Sequence, residues 1–141
     1  MNVLFDYINE LNWLAVVVAA LFAFVTSAVW YSQSLFGKKW MKEVGLKQRD
    51  LKKSNMNTMM GVSLALYLLI AAAMAVLLNV LVVEGLVNGA LLGALVGIAF
   101  VLTTKVTSGL FEKKSLGYME IVIAGDIVVL AVIGATLGAL A

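Results

Sequence analysis

Residues 118–141 read YMEIVIAGDIVVLAVIGATLGALA, an apolar run whose only charges are Glu120 and Asp126. A helix of about 20 residues crosses the ~30 Å hydrocarbon core of a bilayer, so this run is long enough to span one. Three further stretches meet the same requirement, at 11–31, 59–83 and 86–105. None alternates apolar with polar residues, and the chain lacks the eight or more short segments of a closed barrel, so the spanning elements are helices. The predicted fold is therefore all-α: an integral membrane bundle of four transmembrane helices occupying 1–141 as one domain.

Composition supports this reading. Of the 141 residues, 63% are hydrophobic and 13% charged, against roughly 45–50% and about 25% in an average soluble domain. A globule this small has too few charges here to cover its surface in water. Histidine and cysteine are both absent, which removes imidazole bases, thiol nucleophiles, Cys/His zinc sites, disulfides and Ser-His-Asp triads. No catalytic residue, metal site or cofactor is expected.

The residues before the first span carry Asp6 and Glu10 and no Lys or Arg, so a retained helix is expected rather than a secretory signal. Trp13 and the pair Trp30/Tyr31 stand about 25 Å apart along a helix axis, which suits aromatic anchors at both headgroup layers. All ten basic residues fall in two places: Lys38, Lys39, Lys42, Lys47, Arg49, Lys52 and Lys53, then Lys105, Lys113 and Lys114. With four spans, these two connections share a side, and the positive-inside rule makes it the cytoplasmic one. The expected location is the cell (inner) membrane, with both termini extracytoplasmic and a cytoplasmic loop over 32–58.

Within that loop Phe36, Trp40 and Val44 recur every four residues between lysines, and Gly45 follows as a C-cap. This pattern predicts a short amphipathic helix at the cytoplasmic interface. Trp40 would be its anchor, and the basic 38–53 segment would face anionic lipid headgroups. No base-reading motif accompanies the positive charge, so no nucleic-acid partner is expected. Val83-Glu84-Gly85 is a tight outer turn.

Hydrophobicity does not drive helices together in lipid, so close approach through small residues has to contribute. The third span carries Gly89, Gly93 and Gly97, and the fourth carries Gly134 and Gly138. These seams pack the third and fourth helices against each other or against a second copy in a homo-oligomer. Proline is absent, which leaves the glycine run of the third span as the place where a helix would depart from regular geometry.

Asp126 lies too deep for a short side chain to reach the interface, and an unpaired charge at that depth costs at least ~2.5 kcal/mol. Thr26 and Ser27, Ser63 and Tyr67, and Thr103 and Thr104 fall in the same cytoplasmic half, so every helix brings polar groups to one layer. Either the layer binds a cation or proton at Asp126, or it is a hydrogen-bonded staple whose hydroxyls mostly bond their own helices. Lys105 and Glu120 are expected to pair where the third span ends and the fourth begins. Asn79 could bond Asn88 across the outer turn. The six-residue spacing of Glu120 and Asp126 argues against a paired-carboxylate site.

Two blocks carry a resemblance. Ala28-Val-Trp-Tyr-Ser-Gln-Ser-Leu-Phe-Gly-Lys-Lys-Trp-Met41, with Gly45-Leu46 and Asp50-Leu-Lys-Lys53 after it, is similar to the first block of a family of small bacterial membrane proteins, domain of unknown function 1761. Gly93 to Thr104, Leu110-Phe-Glu-Lys-Lys-Ser115 and Gly134-Ala-Thr-Leu-Gly138 resemble its later blocks. The resemblance implies a four-helix membrane protein and supplies no substrate or reaction. Two functions follow from the residues: a structural or accessory membrane protein, or a small proton- or cation-coupled transporter or channel using Asp126.

Overall fold

The computed structural model describes residues 2–47, 49–50 and 55–141, and every regular element among them is helical. Lys52 and Lys53 of the basic segment lie outside the described residues. The helices are α1 (Val3–Asn9), α2 (Trp13–Trp30), α3 (Gly37–Val44), α4 (Met56–Leu81), α5 (Leu86–Phe111) and α6 (Leu116–Leu140). Four of them, α2, α4, α5 and α6, are long and apolar enough to cross a membrane.

Local chemistry sets most of the boundaries. Side-chain oxygens of Asn2, Asn12, Asn55 and Ser115 accept backbone N–H groups in the first turns of α1, α2, α4 and α6, satisfying donors that a helix start otherwise leaves open. The caps move the helix starts from the expected positions. Asn55 opens α4 at Met56, ahead of 59, and Ser115 opens α6 at Leu116, ahead of 118. The third helix runs to Phe111 rather than ending at 105, which leaves Lys105 inside it. Short α1, which no sequence signal marks, packs against α4.

The amphipathic helix expected between the first two spans is α3, and Gly45 closes it at φ +75°, a left-handed conformation that costs glycine little. Its Glu43 reaches the start of α6, where Ser115 Oγ donates to Glu43 Oε2 at 2.5 Å. A carboxylate there meets the positive end of the α6 dipole.

Helix α6 is the centre of the bundle. Within its apolar window 56% of residues are buried, against 28%, 22% and 17% for α2, α4 and α5. Ile133, Val129, Leu130 and Leu137 of α6 meet Ala15, Ala19 and Ala23 of α2 and Ala71 and Ala75 of α4 in one core. The alanines recur every fourth residue, so α2 and α4 each offer α6 a stripe without bulk. By contrast α4 and α5, though joined by a tight turn, barely touch, while α5 lies along α6.

That contact is the glycine seam. A Cβ at Gly89 would stand 2.0 Å from Gly134 O, one at Gly93 2.1 Å from Leu130 O, and one at Gly138 2.2 Å from Gly85 O. Gly85 N donates to Gly138 O at 3.0 Å, so backbone bonds backbone across the seam. The seam is filled within a single chain, and association with a second copy would have to use another surface.

Candidate functional site

Asp126 finds its partner on α5: Lys105 Nζ donates to Asp126 Oδ2 in an ion pair. The expected Lys105–Glu120 pair does not form. Lys105 sits in the interior of α5, and Glu120 lines a different, apolar groove beside Val106 and Leu110.

The register of Lys105 depends on a local departure from α geometry. Residues Gly97–Leu102 form a π turn inside α5, which accommodates one extra residue in the helix. At about 100° per residue, regular α-helix from Gly89 onward would put Lys105 roughly 160° round from that glycine, on the far side from α6. The extra residue takes back about 100°, leaving Lys105 roughly 60° from the seam and within reach of Asp126. The glycine run thus bulges rather than unwinds.

Lys105 stands about 9 Å along α5 from Phe111, and Asp126 about 15 Å along α6 from Leu116. Their side chains are 43% and 35% exposed in the isolated chain. Two spaces meet at Lys105. Toward the α5–α6 connection lies a mixed vestibule of about 180 Å³, in which Lys105, Ser108, Glu112 and Lys114 face Met119, Val122 and Ile123. Toward the middle of the bundle an apolar groove of about 430 Å³ opens between α4 and α5, with Ile70, Leu77, Val96 and Val101 in its walls and Tyr67, Lys105 and Asp126 as its polar groups.

The remaining hydroxyls do not converge on Asp126. Thr26 Oγ1 donates to Phe22 O, Thr103 Oγ1 to Ala99 O and Thr104 Oγ1 to Phe100 O, each at 2.7 Å. These are bonds to their own helices. Ser27 and Ser63 line a separate groove with Tyr31 and Tyr67, and of these four only Tyr67 also borders the Asp126 groove. Of the asparagines, Asn88 Nδ2 donates to Glu84 O at 3.0 Å.

Nor are all the expected anchors outward. Trp13 is 51% exposed, as an interfacial ring would be. Trp30 instead turns inward: its Nε1 donates to Ile121 O at 3.0 Å, and it packs so closely on Gly125 that a Cβ there would stand 2.7 Å from Nε1. Trp30 also stacks with Phe36 at 4.5 Å between ring centres, and Tyr31 meets Trp40 edge-on at 5.4 Å. Tyr31 is within electrostatic reach of Asp126. The stretch from Trp30 to Trp40 therefore braces α6 one turn below the ion pair. The sequence signal for this contact is Gly125, the small residue that makes room for the indole.

Four helices long and apolar enough to cross a membrane, with an ion pair between two of them, define a small all-α protein. The chain belongs to the family described as a protein of unknown function (DUF1761), which matches residues 14–138. No curated protein and no solved structure matches it.

Proposed function

We propose that the chain is a non-enzymatic accessory protein of the cell membrane, with both termini outside and the α5–α6 turn in the cytoplasm. In this reading an internal ion pair fastens the peripheral helix α5 to the central helix α6. The observation that carries it is the Lys105–Asp126 pair itself. The ammonium takes the position beside the carboxylate that a transported cation would need. The hydroxyls of Thr26, Thr103 and Thr104 in that half of the bundle are spent on their own helices. The ten-to-none bias of basic residues supports the orientation, and the exposed lysines of α3 suit anionic headgroups.

A fastening role has a distinct signature. Asp126→Asn leaves Lys105 without its counter-charge and is expected to cost about 1–2 kcal/mol of stability in detergent, since the pair is only partly buried. Replacing both partners, as Lys105→Gln with Asp126→Asn, should recover most of that loss, because the two amides bond each other. A second reading, a proton- or cation-coupled transporter or channel, draws support from the exposure of Asp126 beside the vestibule. It requires the Asn variant to keep its stability and lose a pH-dependent flux in proteoliposomes, and that result would overturn the fastening role.

A further inference from the structure

Lys105 borders both the vestibule and the groove, so the two spaces adjoin end to end as a track along the α5–α6 pair, with α4 walling only the groove part. The track changes character along its length. Its deep part is apolar and opens sideways between two helices that barely touch. Its shallow part lies at the end of α5, a helix of 26 residues, or about 39 Å against a hydrocarbon core of ~30 Å. The vestibule therefore sits at headgroup depth and the groove at acyl-chain depth.

The charges favour an anion in the vestibule. Lys105 uses one of its three ammonium donors on Asp126 and keeps two. Lys114 has no carboxylate within ion-pair distance among the described residues and is held over the Tyr118 ring at 5.4 Å. Ser108 adds a hydroxyl. Glu112 is the opposing carboxylate, so the vestibule lining sets Lys105 and Lys114 against it, and Lys113, outside the lining, adds positive charge to the same turn. Resting on the membrane reading above, we infer that the track holds one anionic phospholipid. Its phosphate lies against Lys114 and Lys105, and one acyl chain lies in the groove beside Ile70, Leu77 and Val101. The lipid covers the exposed side of the ion pair and fills the gap between α4 and α5.

The chain has no cysteine, so a single Ser108→Cys substitution reports on the vestibule. The full chain is reconstituted in nanodiscs of dioleoylphosphatidylcholine, with or without dioleoylphosphatidylglycerol, and labelled with a water-soluble neutral maleimide. The anionic lipid should slow labelling about fivefold. Adding Lys114→Gln should restore the faster rate, and a control Gln33→Cys in the α2–α3 turn should label equally in both discs. Equal rates for the Ser108→Cys protein in both discs would overturn the site. Equal protection by inorganic phosphate in phosphatidylcholine discs would overturn it too, in favour of a soluble anion. Release of the protein from membranes by alkaline carbonate would overturn the membrane reading, and the lipid site with it. An unprotected thiol at position 108 in carbonate-resistant protein removes the lipid site alone.

Discussion

Gly134→Ala should destabilise the bundle by about 2–3 kcal/mol, the cost of overpacking a contact that cannot relax locally. The added Cβ would stand 2.0 Å from Gly89 O and 2.9 Å from Gly89 C. Those atoms belong to a helix backbone, so relief requires α5 and α6 to move apart along the seam. That motion lengthens the Gly85–Gly138 bond and draws Lys105 from Asp126. Gly89→Ala meets Gly134 O at the same 2.0 Å and should cost a similar amount. Because the first substitution already separates the helices, the double variant should lose less than the sum. Gly61→Ala is the control: nothing lies within 4 Å of a Cβ there, and inside a helix the change should stabilise by about 0.5–1 kcal/mol. Unfolding in detergent micelles checks all of these variants. A Gly134→Ala protein as stable as the parent would mean that the helices are not in backbone contact.

Removing Ala99, an exposed residue inside the π turn, should turn α5 into a regular helix and leave its last turns in register, because one residue fewer at about 100° per residue brings Lys105 to the same roughly 60° from Gly89 that the π turn does. Lys105 would stay beside Asp126 and Gly109 against Met119, the side chain it packs against, whereas one alanine inserted after Thr103, past the π turn, should swing both away by about 100°. With Lys105→Cys and Asp126→Cys together in this otherwise thiol-free chain, a short bifunctional maleimide should cross-link the parent register readily. In the deletion variant cross-linking should persist and in the insertion variant it should be lost, while the seam above the bulge, Gly89 and Gly93 against α6, stays in place in both. Cross-linking lost on deletion of Ala99, or kept on the insertion, would show that the π turn does not set the register of Lys105.

The two effects differ in how far the sequence discloses them. The spans, the Gly89/Gly93/Gly97 seam and the Phe36/Trp40/Val44 stripe with its Gly45 cap rest on composition and spacing, and such signals survive translation into structure. Lys105 misleads because its partner depends on a π turn whose place the glycine run marks but whose kind, a bulge that adds a residue, it does not. Read as the last residue of the third span it faces Glu120 at the start of the fourth, but α5 runs on to Phe111 and leaves it inside the helix. Trp30 misleads for a complementary reason. An aromatic at a helix end reads as a lipid anchor, yet the decisive residue, Gly125, lies on the last helix, far along the chain. The threonines fall in the expected layer, but a hydroxyl in lipid that can bond the carbonyl four residues back need not seek another helix. The alanine stripes at 15/19/23 and 71/75 are visible in the sequence but masked by the general abundance of apolar residues.

The claim on which the rest depends is that the four long helices cross a membrane with the α5–α6 turn on the cytoplasmic face. Three single-cysteine variants, Asn2→Cys, Lys114→Cys and Ala141→Cys, probed with an impermeant maleimide in sealed vesicles of both orientations, test it directly. The thiol at position 114 should label only in inside-out vesicles, and those at positions 2 and 141 only in right-side-out ones. Labelling of positions 2 and 141 from opposite sides, or of position 114 from the side of the termini, would contradict the four-span arrangement.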